Sequence, residues 1–158
     1  MDEHKLRSIV TAVVREVSAQ SDITLEKAKA LSQRVRAKAS QMGVNAVVAV
    51  TNRAARPVLV ECMDDSFIAS YDIALNKAFT VVSLKMSTSK LKSLAKPDGS
   101  LYGIQFTNEG RIVIFGGGEP LTSADGGVIG GLGVSGGTEE QDTALAEYGR
   151  KIFEKGEI

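Results

Sequence analysis

The chain has 158 residues, 43% hydrophobic and 24% charged, and its 19 Lys and Arg balance 19 Asp and Glu. That balance leaves no basic field to attract nucleic acid. One cysteine, Cys62, and one histidine, His4, exclude a disulfide framework and leave almost nothing for a zinc site or a histidine relay. No run approaches the roughly 18 apolar residues of a membrane span, and the start, Met1-Asp-Glu-His-Lys5, lacks the basic and apolar regions of a signal peptide. A cytoplasmic protein of one compact domain with an appendage is expected, with no metal site and no nucleic-acid or membrane partner.

From Asp2 to about Ser18, Leu6, Ile9, Val10, Val13, Val14 and Val17 recur at the three-and-four spacing of one helical face. Four of the six are Val, which loses rotamer freedom in a helix, so this short element needs a partner to bury its stripe. The small polar Ser18-Ala-Gln-Ser-Asp22 reads as a linker. Residues 1–20 are therefore expected to form an amphipathic docking helix and tether, and residues 21–158 the domain. The same stripe would also suit packing across an oligomer or on the chain's own core.

Thr24 is placed as an N-cap with Glu26 in the first turn of a second helix, which carries Ala28, Leu31, Val35 and Ala39 inward and stops near Gly43. Val44 to Val50 and Pro57 to Met63 then read as a β-hairpin about the turn Thr51–Arg56, with Cys62 a buried, inert thiol. A third helix is expected from about Ser66 to Leu84, its start capped by Asp64-Asp65 and its small residues, Ala69, Ala74 and Ala78, on the packed side with Ile73, Val81 and Val82. After the turn Pro97-Asp-Gly-Ser100, Tyr102–Phe106 and Arg111–Phe115 flank Thr107-Asn-Glu-Gly110 as a second hairpin. Val128–Val134 supplies a fifth strand. Thr138, with Glu139, Glu140 and Asp142 behind it, caps a last helix to about Phe153. This order is α+β, with strands joined by short turns pairing antiparallel.

Ten of the 16 glycines fall between Gly116 and Gly137. Broken by Val, Ile and Leu, they read first as tight turns and close strand contacts, because glycine removes the Cβ that would block either. Gly116-Gly-Gly118 and Gly133–Gly137 also offer backbone N–H groups to an anion near the helix start at Thr138, although Glu139 and Glu140 already occupy that positive end. Neither segment has the spacing or strand-to-helix context of a dinucleotide fingerprint or P-loop.

From Ile23 onward the chain resembles the GlcG/HbpS family, which includes the PduO carboxyl-terminal domain and small haem-binding or haem-degrading proteins. The matching marks are Thr24-Leu-Glu26 with Ala28, Met63-Asp-Asp65 with Ser70, Asp72-Ile-Ala-Leu-Asn-Lys-Ala78 and Thr80, Gly116-Gly117 with Pro120, Gly130, Gly133-Val-Ser-Gly-Gly137 and Asp142. The resemblance implies a profilin-like domain with a five-stranded antiparallel sheet flanked by helices, assembled as a homo-oligomer of two or more copies. Its implied ligand is haem or a related tetrapyrrole, held between the long helix and the Gly-rich strands, and Met63, Asp72, Lys77, Tyr102, Gly116, Gly117, Glu119, Ser135, Gly136 and Gly137 are the candidate contacts. Residues 21–158 hold no histidine, so imidazole ligation of iron cannot come from the domain itself. Cys62 also stands where the family commonly has Arg.

The amino-terminal helix resembles the encapsulation peptides that carry enzymes into bacterial microcompartments for small diol, glycerol or amine metabolism, and its stripe suits a groove on a shell or cargo protein. The functional expectation is an accessory tetrapyrrole-binding protein of the cytoplasm or microcompartment lumen, leaning away from catalysis. A haem-degrading or small-molecule-converting enzyme and a purely structural adaptor are the alternatives. An enzyme would have to draw its general base from carboxylates, tyrosines or Lys77.

Overall fold

The computed structural model describes residues 2–19 and 21–158, and the side chains of residues 15–20 lie outside the described set, Val17 of the apolar stripe and the linker residues Ser18 to Gln20 among them. The elements are α1 (Glu3–Ala19), α2 (Leu25–Gln41), β1 (Val47–Asn52), β2 (Pro57–Cys62), α3 (Ile68–Leu84), α4 (Thr88–Ala95), β3 (Gly118–Thr122), β4 (Val128–Ser135) and α5 (Glu139–Glu154), with two 3-10 turns at Ile104–Phe106 and Asn108–Gly110. The four strands form one antiparallel sheet in the order β2-β1-β4-β3.

Alternation along the two central strands divides the core. Val48 and Val50 of β1 with Leu132 and Val134 of β4 face α2 and α5, where they meet Leu31, Val35, Leu145 and Ile152. Val47 and Ala49 face the opposite way, onto Ala74 and Ala78 of α3. The α3 face of β4 is glycine: a Cβ on Gly133 would overlap the Ala74 carbonyl oxygen, and one on Gly131 the Ala78 carbonyl oxygen. Thr51 completes the contact, its Oγ1 donating to the Ala78 carbonyl at 3.1 Å. The Gly-rich run is thus primarily the surface on which α3 lies, backbone against backbone.

The expected caps of α2 and α5 form. Thr24 accepts from the Lys27 N–H at 3.2 Å, and Thr138 and Gln141 make a reciprocal capping box. The first hairpin is present, its turn held by Asn52 Oδ1, which accepts from the Ala54 and Arg56 N–H groups at 3.0 Å each.

Several expectations are corrected. The sheet has four strands, not the five of the profilin-like expectation. Tyr102–Phe106 and Arg111–Phe115 do not form a hairpin: Asn108, Glu109 and Gly110 are all left-handed, at φ of 50°, 59° and 75°, and Tyr102 and Phe106 are exposed. An alternating run with no core to cover gains nothing by extending. Strand β3 instead uses Gly118-Glu-Pro-Leu-Thr122, poor strand formers that an edge position tolerates. Between α3 and the Pro97 turn, where no element is expected from the sequence, Thr88–Ala95 forms helix α4, capped by Ser87. Helix α3 starts after Phe67 without a side-chain cap, so Asp64-Asp65 do not cap it; Asp65 is in a turn at φ 61°. Cys62 ends an edge strand and is exposed, not buried.

Among the described side chains of α1, none belongs to either core cluster, and Leu6, Ile9, Val10, Val13 and Val14 are 46–56% exposed. Among the described residues, no helix is long and apolar enough to cross a membrane.

Candidate functional site

Four chain ends meet on the α3 side of the sheet: the first turns of α3, the end of β4, the first turn of α5 and the loop entering β3. They enclose an open cavity of about 350 Å³ lined by Phe67, Ala69, Ser70, Ile73, Phe115, Ser135, Gly136, Gly137, Glu139 and Asp142. Its size lies in the range of small-molecule clefts.

Lys77 explains the architecture below the opening. Three residues after Ala74 and one before Ala78, it falls on the buried stripe of α3 and has no exposed side-chain surface. A buried ammonium must be paired and hydrogen-bonded. Its Nζ donates to Asp142 Oδ2 at 3.0 Å and to the Val134 carbonyl at 2.8 Å, and it sits 5.0 Å from the centre of the Phe115 ring. Burial pulls the Lys77 pKa below its ordinary value, against the opposing pull of Asp142. The other oxygen of Asp142 accepts from the Gly137 N–H at 2.9 Å, so this α5 carboxylate ties α3 to the β4–α5 turn, and Lys77 in turn ties α3 to β4. Gly117 has φ 110°, and a Cβ there would stand 2.6 Å from the Lys77 nitrogen, which accounts for that glycine.

Several of the backbone N–H groups offered to an anion by the sequence are already paired. Gly116 N–H donates to Glu139 Oε1 at 2.9 Å, Gly137 to Asp142, and Thr138 to the Gln141 side chain at 2.9 Å. The Gly116 bond, with Lys92 at 2.7 Å on the other oxygen, holds the Glu139 pKa below the usual carboxylate range. The N–H groups of Gly116 and Gly137 are therefore committed to holding the cavity wall together. Besides the paired carboxylates of Glu139 and Asp142, its polar side chains are Ser70 and Ser135, both buried, with their hydroxyls 3.0 Å apart.

Of the residues singled out from sequence, Ser135, Gly136 and Gly137 line the cavity, and Lys77, Gly116 and Gly117 stand directly behind it. Four do not join them. Met63 packs against the core on the α2 and α5 side, its sulfur accepting from the Ala46 N–H at 3.3 Å. Asp72 is exposed on α3 and is not the partner of Lys77, which is Asp142. Tyr102 is exposed in the loop after α4. Glu119 pairs with Arg150 of α5 at 3.1 Å, and burial raises its pKa above the ordinary carboxylate value. Sequence reasoning missed Phe67, Ala69, Ser70, Ile73, Phe115, Glu139 and Asp142 as lining residues. The available signal was Lys77 itself, since a cation between Ala74 and Ala78 on an apolar stripe demands a carboxylate from another element. Among the described residues, no group of three His, Cys, Asp or Glu side chains is arranged to hold a metal ion.

A family model described as haem degrading protein HbpS-like matches residues 23–151, which contain every residue of this cavity. The chain belongs to the HbpS-like family. An uncharacterized 15.0 kDa protein from the dhaT-dhaS intergenic region of Citrobacter freundii is 47% identical over 131 residues, covering 83% of this chain and 92% of that one. The corrinoid adenosyltransferase PduO of Citrobacter freundii is 32% identical over 145 residues, covering 92% of this chain but only 42% of PduO, so the HbpS-like chain spans less than half of that relative. The solved PduOC:haem complex superposes with a TM-score of 0.79 at 32% identity, covering 83% of this chain and 94% of that one.

The lining residues fit one part of a haem and not another. Phe67, Ile73 and Phe115 present apolar and aromatic surface suited to a flat ring, while none of the lining residues is a His, Cys, Met or Tyr.

Proposed function

We propose that this chain is a non-catalytic accessory protein that binds a flat tetrapyrrole, haem among them, in the cavity lined by Phe67 and Phe115. We further propose that α1 tethers it to a shell or cargo protein of a bacterial microcompartment. The carrying observation is the convergence, at one opening, of residues that carry the resemblance to the family (Ser70, Ser135, Gly136, Gly137, Asp142) and two exposed phenylalanine rings. The haem complex of PduOC supports the choice of ligand class. Against catalysis stands Lys77: the base an enzyme reading would use is sealed from solvent and holds two hydrogen bonds. The tether reading rests on the half-exposed stripe of α1, the anchor pattern of a helix laid in a groove. Assembly of two or more copies belongs to the same proposal, with Ile68, at 98% exposure and outside the cavity lining, as surface such a contact would cover.

Haemin titrated into the full chain is expected to bind saturably, with a shifted Soret band. The double variant Phe67→Ala, Phe115→Ala is expected to bind about 30-fold more weakly, since each of the two aromatic contacts contributes on the order of 1 kcal/mol. Removing residues 1–20 should leave haemin affinity unchanged and abolish co-sedimentation with shells. Absence of saturable binding, or equal binding by the double variant, contradicts the proposed site.

A further inference from the structure

We infer that the cavity recognises the face of the tetrapyrrole and not its metal, so that iron-bearing and iron-free rings bind alike; this rests on the tetrapyrrole reading above. Proteins hold haem iron through His, Cys, Met or Tyr, and none lines this cavity. Its two carboxylates are committed on both oxygens: Glu139 to Gly116 and Lys92, Asp142 to Gly137 and Lys77. The side chains able to ligate iron lie elsewhere. Met63 faces the opposite side of the sheet with its sulfur in a hydrogen bond, and His4, the single histidine, is on α1. Tyr71 is half exposed on α3 and is not part of the lining.

What the cavity offers instead suits a ring. Phe67 and Phe115 supply aromatic faces, which favour stacked or edge contacts with another π system. Ser70 and Ser135 share one hydrogen bond between two hydroxyls, which uses one of their two protons and leaves the pair one donor for a polar atom of the ligand. None of these contacts changes when the metal at the ring centre is iron, zinc or absent.

The test is a parallel titration of the full chain with haemin, zinc protoporphyrin and iron-free protoporphyrin IX, followed by ligand absorbance and fluorescence. The dissociation constants are expected to agree within about threefold, less than 1 kcal/mol, and His4→Ala and Tyr71→Phe are expected to leave the haemin spectrum unchanged. Haemin binding tenfold or more tightly than the iron-free ring overturns the inference, as does a haemin spectrum altered by either substitution. Failure of all three ligands to bind removes the tetrapyrrole reading, and this inference with it; binding of haemin alone leaves that reading standing and removes only the metal independence.

Discussion

Asp142→Ala is expected to destabilise the protein by about 3–5 kcal/mol, the range for removing one partner of a buried ion pair and leaving the other charge uncompensated. Lys77 has no exposed surface into which its ammonium could turn, so the charge stays buried or is lost. The pH dependence follows from the direction of its pKa. Burial already lowers Lys77 in the folded state, and the opposing contribution of Asp142 disappears in the variant. Between the lowered folded value and the ordinary lysine value, the unfolded chain binds more protons than the folded one, so stability rises with pH across that window. In Asp142→Ala the window opens at lower pH, and the deficit relative to the parent should narrow as pH rises toward 10. Pairing Asp142→Leu with Lys77→Met removes both charges and should recover most of the loss. Urea unfolding at several pH values measures all of this; a loss below about 1 kcal/mol for Asp142→Ala would mean that Asp142 does not compensate the buried charge of Lys77.

Gly133→Ala has the second large expected effect, about 3 kcal/mol or more. Its Cβ would overlap the Ala74 carbonyl oxygen and lie 2.8 Å from the Ala78 nitrogen, both backbone atoms of a helix that cannot step aside singly. The only relief is for α3 to lift from β4. That movement would separate Ser70 from Ser135, so ligand affinity should fall together with stability. Gly43→Ala is the control for added bulk without a clash, because nothing lies within 4 Å of a Cβ there; its cost is confined to the positive φ of 69°. Thermal unfolding of the two variants distinguishes the effects, and equal losses would contradict close packing of α3 on β4.

Elements with strong periodicity or caps were legible in the sequence. The stripe of α2 with Thr24, the first hairpin, β4 and the Thr138 cap of α5 all depend on local chemistry that a single segment carries. The second hairpin and β3 were not legible, because Tyr102–Phe106 alternates convincingly while Gly118-Glu-Pro120 does not. Which of them pairs with β4 is decided by where α3 leaves room: Gly118 fits under Thr88 and Val81, and its N–H donates to Thr88 Oγ1 at 2.9 Å. The candidate site divides in the same way. Gly136, Gly137 and Ser135 announce themselves as a cluster in sequence, whereas Phe67 and Phe115 are 48 positions apart and become neighbours of one cavity only through the fold. Glu119 and Met63 looked equally suitable by residue type, yet lie across the sheet from it, since alternation along a strand sends adjacent residues to opposite faces.

The most direct test of the account is an amide chemical-shift map of the full chain titrated with iron-free protoporphyrin IX. The largest shifts are expected at Phe67 to Ile73, at Phe115 to Gly117 and at Ser135 to Gly137, the backbone around one opening. Shifts concentrated instead around Ile23, Thr122, Ile129 and Phe153, which line a second cavity of about 290 Å³, would contradict the assigned site. An unchanged spectrum would contradict tetrapyrrole binding itself.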